Sequence, residues 1–226
     1  MNRFHTIENK GNDCRFCGFL NSGSKNSQID TPWMLGEQYA AFVSVGALVP
    51  GWSLIVPTDH KINLSKDYSN KYFWSFVKEA ASVLQNNFGK FSIFEHGAFK
   101  AESKTSCGTG HAHLHMVPVN FSLFEAAKAF NTEMTWEKCL ASEVAEKSKG
   151  SEYLFVADSF DGELTQGYIC VLEEETSQFF RKVIATKLGM PEKFDYKTSK
   201  MLEVSTDSVE KLSNYCWSIS NKTRSA

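Results

Sequence analysis

Three histidines alternate with apolar residues at positions 111–116. His111, His113 and His115 stand between Ala112, Leu114 and Met116, and Val117 and Pro118 follow. A strand turns successive side chains to opposite faces, which sets the imidazoles on one face about 7 Å apart and sends the apolar residues into a core. Half of the chain's six histidines fall in this stretch. Two chemistries suit it. One imidazole can be a nucleophile with a neighbour as its acid or base partner, since imidazole titrates near physiological pH. Alternatively, all three can ligate a metal such as zinc in a hydrolytic site. The bland alternative is a solvated, histidine-rich face, which the strict alternation disfavours.

Two further groupings carry chemistry. Cys14 and Cys17 form a C-x-x-C pair, which suits a redox dithiol, half of a zinc site, or two unrelated core residues. Cys107-Gly108-Thr109-Gly110 runs straight into the histidine strand. Glycines let backbone N–H groups approach phosphate oxygens, and Thr109 adds a hydroxyl, although most short glycine pairs are simply turns.

The run HAHLHMV at 111–117 resembles the His-φ-His-φ-His-φ-φ pattern (φ apolar) of the histidine triad, or HIT, family of nucleotide hydrolases and transferases. GWSLIVPTDH at 51–60 resembles that family's earlier strand, which typically ends Ile-Pro-x-x-His. CRFC at 14–17 resembles the Cys-Ile-Phe-Cys of its zinc-containing branch. The agreement covers residues 14–118, about half the chain. It implies an α+β fold, an antiparallel sheet with a helix packed on it. It also implies that His113 attacks the α-phosphorus of a nucleotide conjugate, that His115 assists the phosphate and leaving group, and that the backbone of His111 holds His113 in the correct tautomer. Gly108, Thr109 and Gly110 would contact phosphate. Cys14, Cys17, His60 and His111 would hold a structural Zn2+ with no open position, and no catalytic cofactor is required.

Several positions depart from the family. Trp52 stands where a histidine is common and could stack on a base or fill core. Ser44 replaces an acid that many members place on the ribose. Glu95-His96-Gly97 replaces Asn-x-Gly, and a carboxylate near a phosphate chain repels it unless protonated or paired. Cys107 stands where a glutamine is often found. Trp52, Ser44 and Glu95 are therefore candidate substrate contacts that weaken any expectation of ordinary adenosine recognition. The expected substrates are a nucleoside phosphoramidate, a dinucleoside polyphosphate or another nucleotide conjugate. Two rivals stand beside this: a non-enzymatic nucleotide-binding protein of the same fold, and a metal-dependent hydrolase using the three histidines, with Glu95 as a further ligand. Family members often dimerise, so a homodimer is allowed unless the second half covers that surface.

The elements that must position these groups follow from composition and periodicity. With 226 residues, 42% hydrophobic and 22% charged, the chain suits a soluble α/β domain with an appended extension. A net charge of −2 argues against extended nucleic acid as partner. No membrane partner is expected either, because Pro50 and Gly51 break the most apolar stretch, 40–57. The segment MNRFHTIENKGND lacks the apolar core of a secretory signal, so the cysteines are expected reduced in a cytoplasmic setting. Residues 18–31 read as a loop. Strands are expected at 39–48, 52–57 and 91–95, and a helix capped by Ser65 or Asp67 should run to about Asn87 on a stripe of Tyr72, Phe73, Phe76, Val77, Ala80 and Leu84. Beyond residue 118 the spacing predicts helices at 122–129, 135–147, 174–188 and 207–220, and strands at 152–157 and 166–172. Residues 1–118 are expected to form the HIT-like domain, with 119–226 as the extension packed on it. His96, beside a turn glycine, is expected to be a surface residue or one with its hydrogen bonds satisfied, with a phosphate contact as the lesser reading. Arg181 and Lys182 are expected on a solvated helix face, with reach to an anionic substrate as the lesser reading.

Overall fold

Short β-branched and aromatic runs, buried on both faces, build the frame. The computed structural model describes residues 14–22, 28–106 and 109–223. Its eight strands are β1 (Met34–Leu35), β2 (Tyr39–Val43), β3 (Ser53–Pro57), β4 (Ser92–Gly97), β5 (Leu114–Val117), β6 (Glu137–Leu140), β7 (Tyr153–Ala157) and β8 (Gln166–Val171). They form one sheet in the order β1-β2-β3-β5-β4-β7-β8-β6, with every neighbouring pair antiparallel. The fold is α+β. The β4–β7 pairing carries the sheet on beyond residue 118, so both halves of the chain contribute strands to it.

Alternation divides each strand between two cores. Tyr39, Ala41, Ile55, Ile93, Leu114, Met116 and Phe155 face α2 (Lys71–Phe88), which packs Phe73, Trp74, Val77, Ala80, Ala81 and Leu84 against them. Phe42, Leu54, Phe94, Leu154 and Val156 face the other way. There α3 (Leu123–Phe130) and α5 (Phe179–Lys187) cover them with Leu123, Phe124, Phe180 and Ile184. The histidine face of β5 is on this second side, beneath α5.

The start of α2 differs from expectation. Asn70 is its N-cap, accepting from the Tyr72 backbone N–H at 3.0 Å. Asp67 instead accepts the Tyr39 hydroxyl at 2.6 Å and the Lys61 ammonium at 2.7 Å. Tyr72 is exposed, because at this position the helix turns it away from the sheet. Residues 135–147, read as helical, give β6, one 3-10 turn and the short α4 (Val144–Ser148). Pairing of Glu137–Leu140 with β8 overrides their helix-favouring composition. The polar run at 18–31 likewise begins inside a helix, α1 (Arg15–Ser22). At the other end, α5 starts at Phe179 and α6 (Leu202–Thr223) starts earlier than its apolar stripe. No helix among the described residues is long and apolar enough to cross a membrane.

Glu95 is held on the α2 side of β4, where it accepts the Leu64 N–H at 2.7 Å and the hydroxyls of Tyr68 and Tyr153 at 2.7 and 2.6 Å. Loss of solvent raises its carboxyl to about 7 despite those three donors. Between its ordinary 4.5 and about 7 the folded protein therefore binds a proton that the unfolded chain has released. That stabilisation is complete below the lower value and is lost as pH rises through the upper one. From pH 5 to 8 the wild type should lose about 2–3 kcal/mol more unfolding free energy than Glu95→Gln, read from denaturant midpoints. Equal losses in the two proteins would show Glu95 ionised throughout.

Candidate functional site

The histidines do not act as one row. Residues 111–113 precede β5, and His111 turns toward α1 while His113 and His115 stay over the sheet. The Nδ1 of His111 lies 3.2 Å from Cys14 Sγ and 3.7 Å from Cys17 Sγ, and His60 Nδ1 lies 3.4 Å from Cys17 Sγ. All four donor atoms fall within 4.8 Å of one another. A tetrahedron with zinc–sulfur and zinc–nitrogen bonds of ordinary length has edges of about 3.3–3.8 Å, so the set fits such an ion. His111 donates its other ring N–H to the Pro57 carbonyl at 2.9 Å, which leaves Nδ1 as the lone-pair atom facing the thiols. Burial, then the neighbouring Cys14, pushes the Cys17 thiol up to about 11, a penalty that a bound divalent cation reverses.

His113 and His115 are set in opposite tautomers. His113 Nδ1 donates to the His111 carbonyl at 2.8 Å, so its Nε2 carries the lone pair. The indole N–H of Trp52 can only donate, and it lies 3.0 Å from His115 Nδ1. His115 must therefore accept there and carry its proton on Nε2. That Nε2 is buried with no hydrogen-bond partner among the described residues. The two rings stand 4.6 Å apart. Burial pushes both imidazoles below their ordinary range, keeping them neutral at physiological pH. One lone pair and one donor proton thus face the same small space.

Packing fixes these rings. His115 stacks on Phe94 at 4.2 Å and 14°, directly opposite it across the β4–β5 pair. Phe180 of α5 covers Phe94 at 4.6 Å, and Phe16 of α1 lies against His111 and His113. The cavity at these rings measures about 40 Å³ and is lined by Ser44, Thr109, His113, His115, Arg181 and Tyr196 among others. It has room for little more than one phosphate-sized group.

Of the sequence candidates, His113, His115, Ser44 and Thr109 come together at this cavity, and Cys14, Cys17, His60 and His111 at the neighbouring cluster. Gly110 lies beside them in a left-handed conformation (φ 59°), and Gly108 falls outside the described residues, as does His5. Trp52 is fully buried and holds His115, so it cannot stack on a base. Glu95 faces the opposite side of the sheet, because Phe94, one residue before it, pairs with His115. This parity also removes Glu95 as a further ligand for a three-histidine metal site. His111 groups with the cysteines and away from the other two histidines.

For His96 the satisfied reading holds and the surface one does not, and the solvated-face expectation for Arg181 is corrected. His96 is buried and accepts the Phe180 N–H at 3.2 Å, with burial and nearby cations lowering it to about 3. Arg181 is 2% exposed, and α5 packs it under the histidine face. Its guanidinium donates to the carbonyls of Phe194 and Gly46 at 2.7 and 2.6 Å and sits 5.0 Å from the Trp52 ring. Sequence reasoning missed Phe16 and Tyr196 as site residues and held a substrate role for Arg181 only as the lesser reading. Only Phe16, between the two cysteines, carried a positional signal.

Trp52→Phe tests the tautomer assignment. It keeps most of the core volume but removes the indole N–H that donates to His115 Nδ1. The proton of His115 should then divide between its two nitrogens, visible in imidazole nitrogen shifts. Any turnover should fall about tenfold, the worth of one net hydrogen bond, with KM little changed. Unchanged shifts would mean that Trp52 does not set the tautomer.

No family model matches the sequence, and no curated protein matches it. Among solved structures, the chain is similar to a Hit-like protein from Bartonella henselae at 18% identity, over 47% of this chain and 80% of that one, with a TM-score of 0.36. A HIT family hydrolase from Clostridium thermocellum matches at 20% identity over 52% and 96%, TM-score 0.36. A hypothetical histidine triad nucleotide-binding protein from Sulfolobus tokodaii matches at 12% identity over 80% and 92%, TM-score 0.37. What the site can do follows from its own side chains.

Proposed function

We propose that this chain is a histidine triad protein that hydrolyses or transfers the nucleoside monophosphoryl group of a nucleotide conjugate through His113. One observation carries the reading: the paired tautomers set a lone pair on His113 Nε2 beside a proton on His115 Nε2. Attack by His113 forms a nitrogen–phosphorus bond as the bond from phosphorus to the leaving oxygen or nitrogen breaks. The leaving group departs with the bonding pair, held by a hydrogen bond from the His115 Nε2–H, and takes any proton it needs from solvent. Water, or another acceptor, then attacks the phosphorus and loses its proton to solvent as the nitrogen–phosphorus bond breaks and its electron pair returns to His113 Nε2. The buried guanidinium of Arg181 at the cavity wall suits the charge on the non-bridging oxygens.

Cys14, Cys17, His60 and His111 would hold a structural Zn2+, which supplies rigidity and no open coordination position. The site joins the nucleophile through one residue, since His111 offers its ring to the cysteines and its carbonyl to His113. A reduced, cytoplasmic setting suits such free thiols. Residues 1–118 carry the triad, and 119–226 supply α5, its cover.

A non-catalytic nucleotide-binding reading has one observation in its favour, the small size of the cavity. Turnover of a panel of nucleoside phosphoramidates, dinucleoside polyphosphates and nucleotide sugars decides between them. Release of a nucleoside monophosphate by the zinc-loaded protein supports catalysis. Tight nucleotide binding with no release from any compound would leave the binding protein.

A further inference from the structure

The cavity at His113 cannot contain a whole nucleotide conjugate, so most of any substrate must lie beyond it. Among the described residues, one larger space shares walls with it. A cleft of about 490 Å³ has Arg15, Val45 and Tyr196 in common with the triad cavity, and is completed by Ile29, Asp30, Lys197, Lys200 and Leu202. That volume lies within the range of small-molecule sites.

The two halves of the chain build this cleft together, and the second is fastened to the first beside it. Gly46 N–H donates to the Lys200 carbonyl at 2.8 Å, and the Ser205 hydroxyl donates to the Ser44 carbonyl at 2.9 Å. Tyr196 packs so closely on Gly46 that a Cβ there would come within 2.7 Å of it. Segment 194–205 is thus fastened to the loop at the mouth of the triad cavity. The lining is basic: Arg15, Lys197 and Lys200 face a single acid, Asp30, which pairs with Arg15. Neither lysine has an ion-pair partner among the described residues, while Tyr196, Ile29 and Leu202 offer an aromatic and apolar surface.

We propose that this cleft binds a polyphosphate portion of the substrate beyond the reacting phosphorus, with Lys197 and Lys200 as its cations. The inference rests on the reading of the triad above and narrows its substrate class. A dinucleoside or nucleoside polyphosphate has further phosphates to place against two lysines; a phosphoramidate with a neutral amine has none. The cleft and the triad are then parts of one elongated site, with the cleft's two lysines supplied by the C-terminal half.

Binding of inorganic tripolyphosphate to the zinc-loaded full chain, followed by calorimetry, tests the cleft without requiring turnover. One equivalent should bind, more weakly as salt rises. The Lys197→Glu/Lys200→Glu variant should lose at least tenfold in affinity, whereas Lys128→Glu/Lys138→Glu, equal in charge change but outside the cleft, should lose less than threefold. Equal losses in both variants, or no binding to the wild type, would overturn the proposal. With substrates, the ratio of kcat/KM for a dinucleoside tetraphosphate to that for a phosphoramidate should fall at least tenfold in the first variant. An unchanged ratio also counts against the cleft. Tripolyphosphate binding at the cleft with no turnover of any substrate would instead sink the catalytic reading alone.

Discussion

Replacing His113 with alanine should lower nucleoside monophosphate release by at least about a thousandfold, because the lone pair proposed to attack the phosphorus is lost with its ring. Phe94 stacking and the Trp52 hydrogen bond hold His115, so the hydrogen-bond donor to the leaving group stays in place. The His111 carbonyl loses the His113 N–H, while the Thr109 hydroxyl 3.3 Å from it lies nearer the Ser106 carbonyl, at 3.0 Å, so the loss amounts to one hydrogen bond. Stability should therefore fall by only about 1–2 kcal/mol. Steady-state rates with folded, zinc-loaded proteins check this. A variant retaining a tenth of wild-type activity would exclude His113 as nucleophile, since no partial function survives removal of the attacking atom.

Removing zinc should have the largest effect on the fold. Structural zinc sites carry apparent binding free energies of about 10–16 kcal/mol at neutral pH, and that energy is coupled to folding. Cys14 and Cys17 sit at the start of α1, whose Phe16 lies against His111 and His113. Chelation, or Cys14→Ser with Cys17→Ser, should free this segment and lower Tm by about 10 °C or more, the equivalent of several kcal/mol in a chain of this size. Metal content near one equivalent should fall to zero in the double variant. Activity should be lost along with order in α1 and not before it. Loss of activity with Tm unchanged would mean that the metal acts in the chemistry.

The difference between what residues announced and what they concealed has a physical pattern. The triad, His60 and the C-x-x-C pair were legible because chemistry demands particular side chains at particular spacings. Strands β2 to β5 were legible because apolar alternation has a fixed period. Face assignments were harder. Phe94, one residue before Glu95, pairs with His115, so register alone sends Glu95 to the far side of the sheet. Trp52 was visible as a departure from a familiar pattern, but only tertiary contact shows its N–H on His115. Arg181 looks like any cation on an amphipathic helix until α5 is laid over β4 and β5. The strand at Glu137–Leu140 was hidden for a similar reason, since its partner, β8, supplies the preference that its own residues lack.

The most direct test of the account is to trap the intermediate. Zinc-loaded protein mixed with a nucleotide substrate, quenched within one turnover under alkaline conditions that preserve a histidine–phosphorus bond, is digested and mapped by mass spectrometry. The account predicts one nucleoside monophosphoryl group per chain, on His113 and absent from His113→Ala. Product release with no adduct on any histidine, or an adduct on His115 in place of His113, would contradict it.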